Sequence, residues 1–175
     1  AITSVVDDVG PATGTLASGA STNDNLPTFN GTGEVGATIQ IFDNDALIGT
    51  AVVSAAGTWT FTPTTALTDG PHVFSLSAVD AAGNTSVTST LYNLTVDTAA
   101  PNTPTLLSVT DDQGPNTGTL TSGQATNDQQ PTLTGTAEAG AIVRILDNGV
   151  QIGETTAGSD GRWTFSPDSA LSNGS

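Results

Sequence analysis

The sequence contains no cysteine, and only two of its 175 residues are basic. Without cysteine, neither disulfide bonds nor thiolate metal sites can hold the chain together. A small domain that works outside the cell without disulfides needs another kind of reinforcement. Without cysteine, any metal ion that reinforces the chain would have to be bound by side chains that carry oxygen.

The shortage of basic residues limits the possible partners. Seventeen acidic residues stand against the two basic ones, which gives a formal net charge of −15. Nucleic acid is excluded as a partner because phosphate contacts require Lys and Arg. No run is apolar enough to span a bilayer or to act as a signal peptide, so we expect no direct membrane insertion and expect any targeting segment to lie outside this sequence. Metal cations are the partners that this charge favours.

The residues that most catalytic sites use are also scarce. His72 is the only histidine and has no cysteine to pair with, and we find neither a nucleophile elbow nor a phosphate-binding glycine loop. Carboxylates in turns lack the groove that glycoside cleavage requires. We therefore predict that the protein is not an enzyme and that His72 is an ordinary surface residue.

An internal repeat organises the chain. Trp163 follows Trp59 by 104 positions (163 − 59), and the same offset relates Asp128 to Asp24 and Glu138 to Glu34. A repeat of this length is a whole domain rather than one turn of a solenoid. We predict one domain over residues 1–98, a linker over 99–104 and a second domain over 105–175. The second domain lacks its last two strands, and we expect the sequence to be cut from a longer array.

Within the first repeat, short runs alternate between apolar and polar residues and are separated by Gly, Asn and Asp. Trp59 and Phe61 alternate with threonines and are predicted to face a core. Asn148-Gly149 predicts a two-residue hairpin in the second repeat. The predicted strands are 2–6, 27–33, 37–43, 46–53, 58–62, 72–80 and 87–96. The fold class is therefore all-β, with tandem immunoglobulin-like antiparallel sandwiches of about seven strands per repeat.

Four motifs carry a resemblance to a known family. They are "GTWTFTP" (57–63), "GRWTFSP" (161–167), "AVDAAGNTS" (78–86) and "TVDTAAP" (95–101). The chain resembles bacterial immunoglobulin-like repeats of very large surface adhesins that are exported by type I secretion, among them biofilm-associated proteins. The resemblance implies an extracellular location at the bacterial surface and Ca²⁺ at the junctions between neighbouring repeats. It also implies that other domains of the parent protein contact the host or biofilm surface.

The predicted strand order places many carboxylates at the exit pole, the end of the sandwich at which the chain leaves the repeat. Asp7, Asp8, Asp24 and Asp97 are expected to converge there, facing Glu138 of the second repeat. Two carboxylates about 4 Å apart repel by roughly 4 kcal/mol at an effective dielectric near 20. A Ca²⁺ ion, which takes 6–8 oxygen ligands, reverses the sign of this interaction. The sequence therefore predicts Ca²⁺ as the cofactor.

Ten of the twelve candidate metal ligands form pairs that the offset of 104 positions relates, and Asp80 and Asp97 are the other two. As the alternative, each Asp or Asn by itself is a frequent turn former. The candidates are Asp7, Asp8, Asn23, Asp24, Glu34, Asp80, Asp97, Asp111, Asp112, Asn127, Asp128 and Glu138.

Two functions remain open at this point. In the first, the repeats are structural extender modules of a surface adhesin, and Ca²⁺ at the joints makes them rigid enough to project a distal adhesive domain in adhesion and biofilm formation. In the second, the repeats themselves bind a glycan, ice or another cell. The duplicated acidic loops favour the first, and no ladder of exposed threonines or cluster of exposed aromatics favours the second.

Overall fold

The computed structural model describes residues 1–173, in two compact units: unit 1, Ala1–Ala99, and unit 2, which begins at Ala100. Both units consist of β-strands and turns. No helix occurs within residues 1–173, and so none there could cross a bilayer. The predicted all-β class is confirmed.

Unit 1 is a two-sheet sandwich. Its strands are β1 (Ile2–Asp7), β2 (Gly14–Leu16), β3 (Ala20–Thr22), β4 (Thr28–Thr32), β5 (Thr38–Asp43), β6 (Ala46–Val52), β7 (Thr58–Phe61), β8 (Gly70–Val79) and β9 (Tyr92–Val96). The strand orders of the two sheets are β2-β1-β4-β7 and β3-β9-β8-β5-β6. The predicted immunoglobulin-like sandwich is confirmed, and six of the seven predicted strands agree with the observed ones to within two residues.

The core of unit 1 lies between these sheets. Phe29 of β4 and Phe74 of β8 are fully buried, and their ring centroids are 4.7 Å apart. Ile39 and Ile41 of β5 face the same core because alternate residues of a strand point to one side of the sheet. Trp59 is also buried, as its alternation with threonine predicts.

Aromatic rings of the core lie directly on glycine backbone. A Cβ atom at Gly31 would lie 2.3 Å from Cζ2 of Trp59, and one at Gly49 would lie 2.3 Å from Cε2 of Phe61. Any larger residue would push the ring out of its place. The same contacts recur in unit 2 at Gly135 with Trp163 and at Gly153 with Phe165.

The segment between β1 and β4 differs from the prediction. The sequence predicts a single long loop there, whereas the structure places β2 and β3 within it. Strand β2 pairs with β1, and β3 crosses to the other sheet, where it pairs in parallel with β9. Three-residue strands are too short to show a period of two, so the pattern could not reveal them. Unit 1 therefore has nine strands rather than seven.

The predicted strand 87–96 is also wrong in its first half, because β9 begins only at Tyr92. Before it, the hydroxyls of Ser86 and Ser89 accept hydrogen bonds from the amides of Ala78 (2.9 Å) and Leu76 (3.0 Å). Side-chain hydroxyls thus accept the hydrogen bonds from the β8 amides that the carbonyl groups of a regular strand would accept. The segment runs beside β8 without being a strand.

The two β-hairpins follow the turn chemistry of the sequence. Asn148 and Gly149 have φ values of 49° and 82°, and Asn44 and Asp45 at the equivalent turn of unit 1 have values of 47° and 66°. Positive φ at both central positions is what a type I′ turn requires. The hairpin prediction at Asn148-Gly149 is confirmed.

His72 is buried, so the prediction of a surface histidine is wrong. Its side chain is 5% exposed and its ring stacks on Phe74. Nδ1 lies 2.6 Å from Oδ2 of Asp43, and Nε2 lies 2.7 Å from the carbonyl oxygen of Thr68. The ring joins the β5–β6 hairpin to the loop before β8. No residue near His72 in sequence signals this, because Asp43 is 29 positions away.

Unit 2 repeats only part of this architecture within residues 100–173. Its strands are β10 (Thr105–Asp111), β11 (Gly118–Leu120), β12 (Thr132–Thr136), β13 (Ile142–Asp147), β14 (Val150–Thr156) and β15 (Arg162–Phe165). The sheet β11-β10-β12-β15 matches the first sheet of unit 1, and β13-β14 forms a separate two-stranded sheet. Val143, Ile145, Ala157 and Trp163 form its buried core.

We predict that Gly49→Ala lowers the free energy of unfolding by about 1–3 kcal/mol, because the new methyl group displaces the Phe61 ring. Urea denaturation of the purified chain measures this change. Gly10→Ala is the matched control, since a Cβ atom there meets no atom within 4 Å. Equal stability of the two variants would contradict the close packing of Phe61 on the glycine backbone.

Candidate functional site

Two buried aspartates at the exit pole of unit 1 are joined by one threonine. Thr22 Oγ1 donates a hydrogen bond to Asp7 Oδ2 (2.6 Å) and accepts one from the amide of Asp24 (3.0 Å). Asp7 and Asp24 are 3% and 2% exposed. We call Asp7, Thr22 and Asp24 the carboxylate network of unit 1.

Backbone amides satisfy most of the remaining carboxylate oxygens. Val9 N donates to Asp7 Oδ1 (2.8 Å), and Leu26 N donates to Asp24 Oδ1 (2.8 Å). The second oxygen of Asp24 accepts a longer hydrogen bond from the amide of Asp8 (3.4 Å). A buried carboxylate without a basic partner needs such donors, because burying a charge is costly unless its oxygens are hydrogen-bonded.

The strand pairing explains why these residues meet. Strand β1 ends at Asp7, and β4 runs back beside it with Val6 opposite Thr28, so the residues before β4 lie at the same end. Strand β3 ends at Thr22 and runs parallel to β9, with Thr22 opposite Val96. Asp97 therefore follows β9 at the exit pole, and its amide donates to the carbonyl oxygen of Thr22 (2.8 Å).

An open cleft of about 370 Å³ lies beside the network. Asp7, Asn23 and Asp97 line it together with Ser21 and Thr22. Asn23 donates from Nδ2 to the carbonyl oxygen of Gly10 (2.9 Å), which leaves its Oδ1 atom as an acceptor. The cleft thus combines two carboxylates with an amide oxygen and hydroxyl groups.

Unit 2 contains the same network, built from Asp111, Thr126 and Asp128. Thr126 Oγ1 donates to Asp111 Oδ2 (2.6 Å) and accepts from the amide of Asp128 (2.9 Å). Asn127 Nδ2 donates to Gly114 O (2.9 Å), as Asn23 does to Gly10 O. The amides of Gln113 and Asp112 take the places of Val9 N and Asp8 N, at 2.8 Å and 3.3 Å. The repeated sequence therefore forms the same hydrogen bonds in both units.

Of the predicted exit-pole ligands, the structure brings Asp7, Asp24 and Asp97 into one region of unit 1. Asp8 takes part through its backbone amide, and its side chain is exposed. The exposed side chain of Asp112 holds the same position in unit 2. Thr22 was not among the predicted residues. The only signal was the shared Thr-Asn-Asp triplet in "STND" and "ATND".

The remaining predicted ligands lie outside the cleft. Glu34 is exposed in the turn between β4 and β5, and Glu138 is exposed in the equivalent turn of unit 2. Asp80 follows β8, and its oxygens accept hydrogen bonds from Ala82 N, Asn84 N and Asn84 Nδ2. The Asn84 side chain is the largest cause that lowers the pKa of Asp80. Asp80 thus organises a turn, and turn formation is the alternative role given above for a single Asp or Asn.

The geometry limits what the site can bind by itself. Among residues 1–173, no three His, Cys, Asp or Glu side chains lie close enough together to hold a metal ion. The cleft of unit 1 offers two carboxylates, Asp7 and Asp97, with neutral oxygen atoms. Oxygen ligands of this kind suit Ca²⁺, which also accepts carbonyl groups and water. Such a set fits a weak Ca²⁺ site that is completed by water or by further oxygen ligands.

The comparison with protein families agrees with this fold. A family model described as a bacterial Ig-like domain matches residues 2–98 and again residues 103–175. Among the matching solved structures is a chain titled "Biofilm associated protein - BSP domain", with 19% sequence identity over 90% of this chain and a TM-score of 0.34. The present chain spans 24% of that chain's length. No curated protein matches the sequence.

We predict that Thr22→Val destabilises unit 1 by about 2–4 kcal/mol, because it removes a donor from Asp7 and an acceptor from Asp24 in a buried place. Thr22→Ser keeps the hydroxyl group and should cost only about 1 kcal/mol for the lost methyl group. Thr126→Val should cost less than Thr22→Val, because Thr126 is exposed. Chemical denaturation of the three variants tests the ranking. Equal losses for Thr22→Val and Thr22→Ser would refute the role of the hydroxyl.

The lowered pKa of Asp80 predicts an acid-sensitive turn. In the folded state the Asn84 hydrogen bonds favour the carboxylate, so the folded pKa lies below the ordinary value of 3.8. The resulting stabilisation is present above 3.8 and is lost as the pH falls through the lowered value. An NMR titration should show Asp80 ionising below 3.8, and Asn84→Ala should raise its midpoint. A midpoint that Asn84→Ala leaves unchanged would contradict this cause.

Proposed function

The chain belongs to the bacterial Ig-like domain family, and on this basis we propose that its two units are extender modules of a bacterial cell-surface adhesin exported by type I secretion. In this role the modules project a distal adhesive domain from the cell in adhesion and biofilm formation. Modules of this family are typically structural and non-catalytic. The mechanism is mechanical, since the repeats supply length and stiffness.

The observation that carries the proposal is the carboxylate network, which occurs once in each unit with nearly identical distances. In unit 1 it lies where the chain leaves the domain. Asp97 directly follows β9, and the next residue, Thr98, donates from its amide and its hydroxyl to Asp69 Oδ1 (3.0 and 2.8 Å). The last residue before the predicted linker is therefore held to the sandwich. A fixed exit point of the chain is what an extender needs.

We propose Ca²⁺ as the ion that reinforces this pole. Asp7 and Asp97 would supply carboxylate oxygens, and Asn23 would supply its amide oxygen. The oxygens of Asp7 already accept two hydrogen bonds, but a carboxylate has about four lone-pair positions and can accept a cation as well. When bound, the ion supplies the positive charge that a chain of net charge −15 lacks. Water molecules would complete the ligand set.

The expected affinity is that of an extracellular module, with a dissociation constant of about 10⁻⁴–10⁻³ M. At this affinity the ion binds in a calcium-rich environment outside the cell. Mg²⁺ is a poorer fit because it needs a tighter octahedron and loses its water reluctantly. Calcium would therefore stiffen the array outside the cell.

We predict that Ca²⁺ raises the stability of the chain by about 1.4 kcal/mol for each site at a tenfold excess over the dissociation constant. Differential scanning calorimetry with Ca²⁺ and with EDTA measures the stability. Small-angle scattering under the same conditions should show a more extended envelope with Ca²⁺. Identical melting temperatures and envelopes in the two conditions would overturn the proposal.

Asp97→Asn is the informative variant, because Asp97 lines the cleft and is exposed, so that its loss does not leave a buried donor unpaired. Asp97→Asn should remove most of the increase in melting temperature that Ca²⁺ produces. Asp45→Asn is the matched control, since it removes the same charge from an exposed hairpin residue that does not line the cleft. A similar reduction by both variants would show a general charge effect instead of a site.

A further inference from the structure

Three strands of unit 1 run in the same direction and end together at the exit pole. Asp7 ends β1, Thr22 ends β3 and Asp97 follows β9, and all three residues line the cleft described above. The first residue of the unit, Ala1, lies at the opposite end of the sandwich. Its carbonyl oxygen accepts a hydrogen bond from the amide of Thr32, the last residue of β4 (2.9 Å). Tension between Ala1 and the residue after Asp97 therefore acts along these strands.

Strand β9 is joined in parallel to β3. The register pairs three residues of each strand and ends with Thr22 opposite Val96. Before this ladder, the amide of Gly19 donates to the carbonyl oxygen of Asn93 (2.8 Å). After it, the amide of Asp97 donates to the carbonyl oxygen of Thr22 (2.8 Å). When β9 is pulled out through the exit pole, these bonds are loaded side by side, so they must break together rather than one after another.

Strand β3 can resist this pull only if it is itself held in place. Its only strand partner in its sheet is β9, so β9 alone would carry β3 with it. The carboxylate network supplies the anchor, because Thr22 Oγ1 donates to Asp7 Oδ2 (2.6 Å). Asp7 belongs to β1, which tension at Ala1 pulls in the opposite direction. The contact between Thr22 and Asp7 thus joins the first strand of the unit to the last one through β3.

A second connection lies at the beginning of β9. The hydroxyl of Tyr92 donates to the carbonyl oxygen of Leu16 (2.5 Å). The amide of the next residue, Asn93, donates to Ser18 Oγ (3.0 Å). Leu16 ends β2, which pairs with β1 and places Leu16 opposite Val5. Both ends of β9 are therefore joined to the segment that follows β1.

Water has little access to the centre of this connection. Thr22, Leu94 and Val96 are 5%, 2% and 1% exposed. A hydrogen bond is electrostatically stronger in such a place than in water. A donor that loses its partner there also finds no water molecule to replace it. Burial therefore makes the rupture of the ladder between β3 and β9 costly.

We propose that β3, β9 and the contact between Thr22 and Asp7 form a mechanical clamp, which resists unfolding of unit 1 when the chain is stretched along its strands. The proposal rests on the extender role, in which the chain carries tension between the cell and a distal domain. It adds resistance to unfolding to the length and stiffness proposed above. Tension passes from β1 through Thr22 to β3, and then across the ladder to β9.

Single-molecule force spectroscopy of the 175-residue chain tests the clamp, and the absence of cysteine allows the attachment points to be chosen freely. Ala1→Cys with Ala99→Cys loads unit 1 along its strands. Thr68→Cys with Ala99→Cys pulls β8 and β9 apart from the exit pole, where Gly70 lies opposite Val96. The three substituted residues are exposed. The second direction should lower the unfolding force to about half or less, because the ladder bonds then break in sequence.

Three variants with the attachments at Ala1 and Ala99 separate the clamp from overall stability. Thr22→Val removes the anchor of β3 and should raise the unfolding rate at constant force at least about tenfold. Tyr92→Phe removes one hydrogen bond of the second connection and should raise this rate about two- to tenfold. Gly49→Ala is the control, because its predicted loss of stability arises on β6, outside the path of tension. It should change the rate by less than about twofold.

All measurements are made in EDTA, so that the result does not depend on calcium. Equal unfolding forces in the two directions would overturn the clamp, and this comparison needs no change in the network. Unfolding rates that follow the loss of chemical stability in all three variants would overturn it as well. A failed clamp would leave the calcium-dependent changes in melting temperature and envelope, which test the extender proposal, as they are. The two proposals can therefore fail separately.

Discussion

Buried carboxylates without basic partners are the constraint on which much of this structure depends. Asp7 and Asp24 are almost fully buried in a chain that has only two basic residues. Hydroxyl and amide groups must therefore satisfy their oxygens. The Thr22 hydroxyl contacts both aspartates at the end of β3. The pairing of β3 with β9 then places Asp97 at the same pole, where its amide donates to the carbonyl oxygen of Thr22.

The two units show how much of a local site survives without its surroundings. The hydrogen bonds of Asp111, Thr126 and Asp128 reproduce those of unit 1 to within about 0.1 Å. Thr126 is nevertheless exposed, whereas Thr22 is buried next to Val96 of β9. Local turns thus create the network, and the neighbouring strand determines how strongly water competes with it.

The predictions that succeeded rest on local regularity. Alternation placed the core strands and both tryptophans, and the Asn-Gly pair located the hairpin of unit 2. The failures involve partners that are distant in sequence. Strand β3 exists through pairing with β9, and His72 is buried through contacts with Asp43 and Phe74. Neither a three-residue strand nor a single histidine has a pattern that would reveal such partners.

The all-β class, the duplicated unit and the acidic turns could be predicted from sequence patterns alone, because the period of a strand and the φ preference of a turn residue depend on neighbouring positions. Which acidic residues lie together depends instead on the assembled fold. In the folded unit, Thr22 joins Asp7 to Asp24, and Asp97 lies beside them. Glu34 and Asp80 lie elsewhere, outside the cleft. Burial and long-range hydrogen bonding depend on strand order and register, and these are properties of the assembled sheets rather than of any short segment.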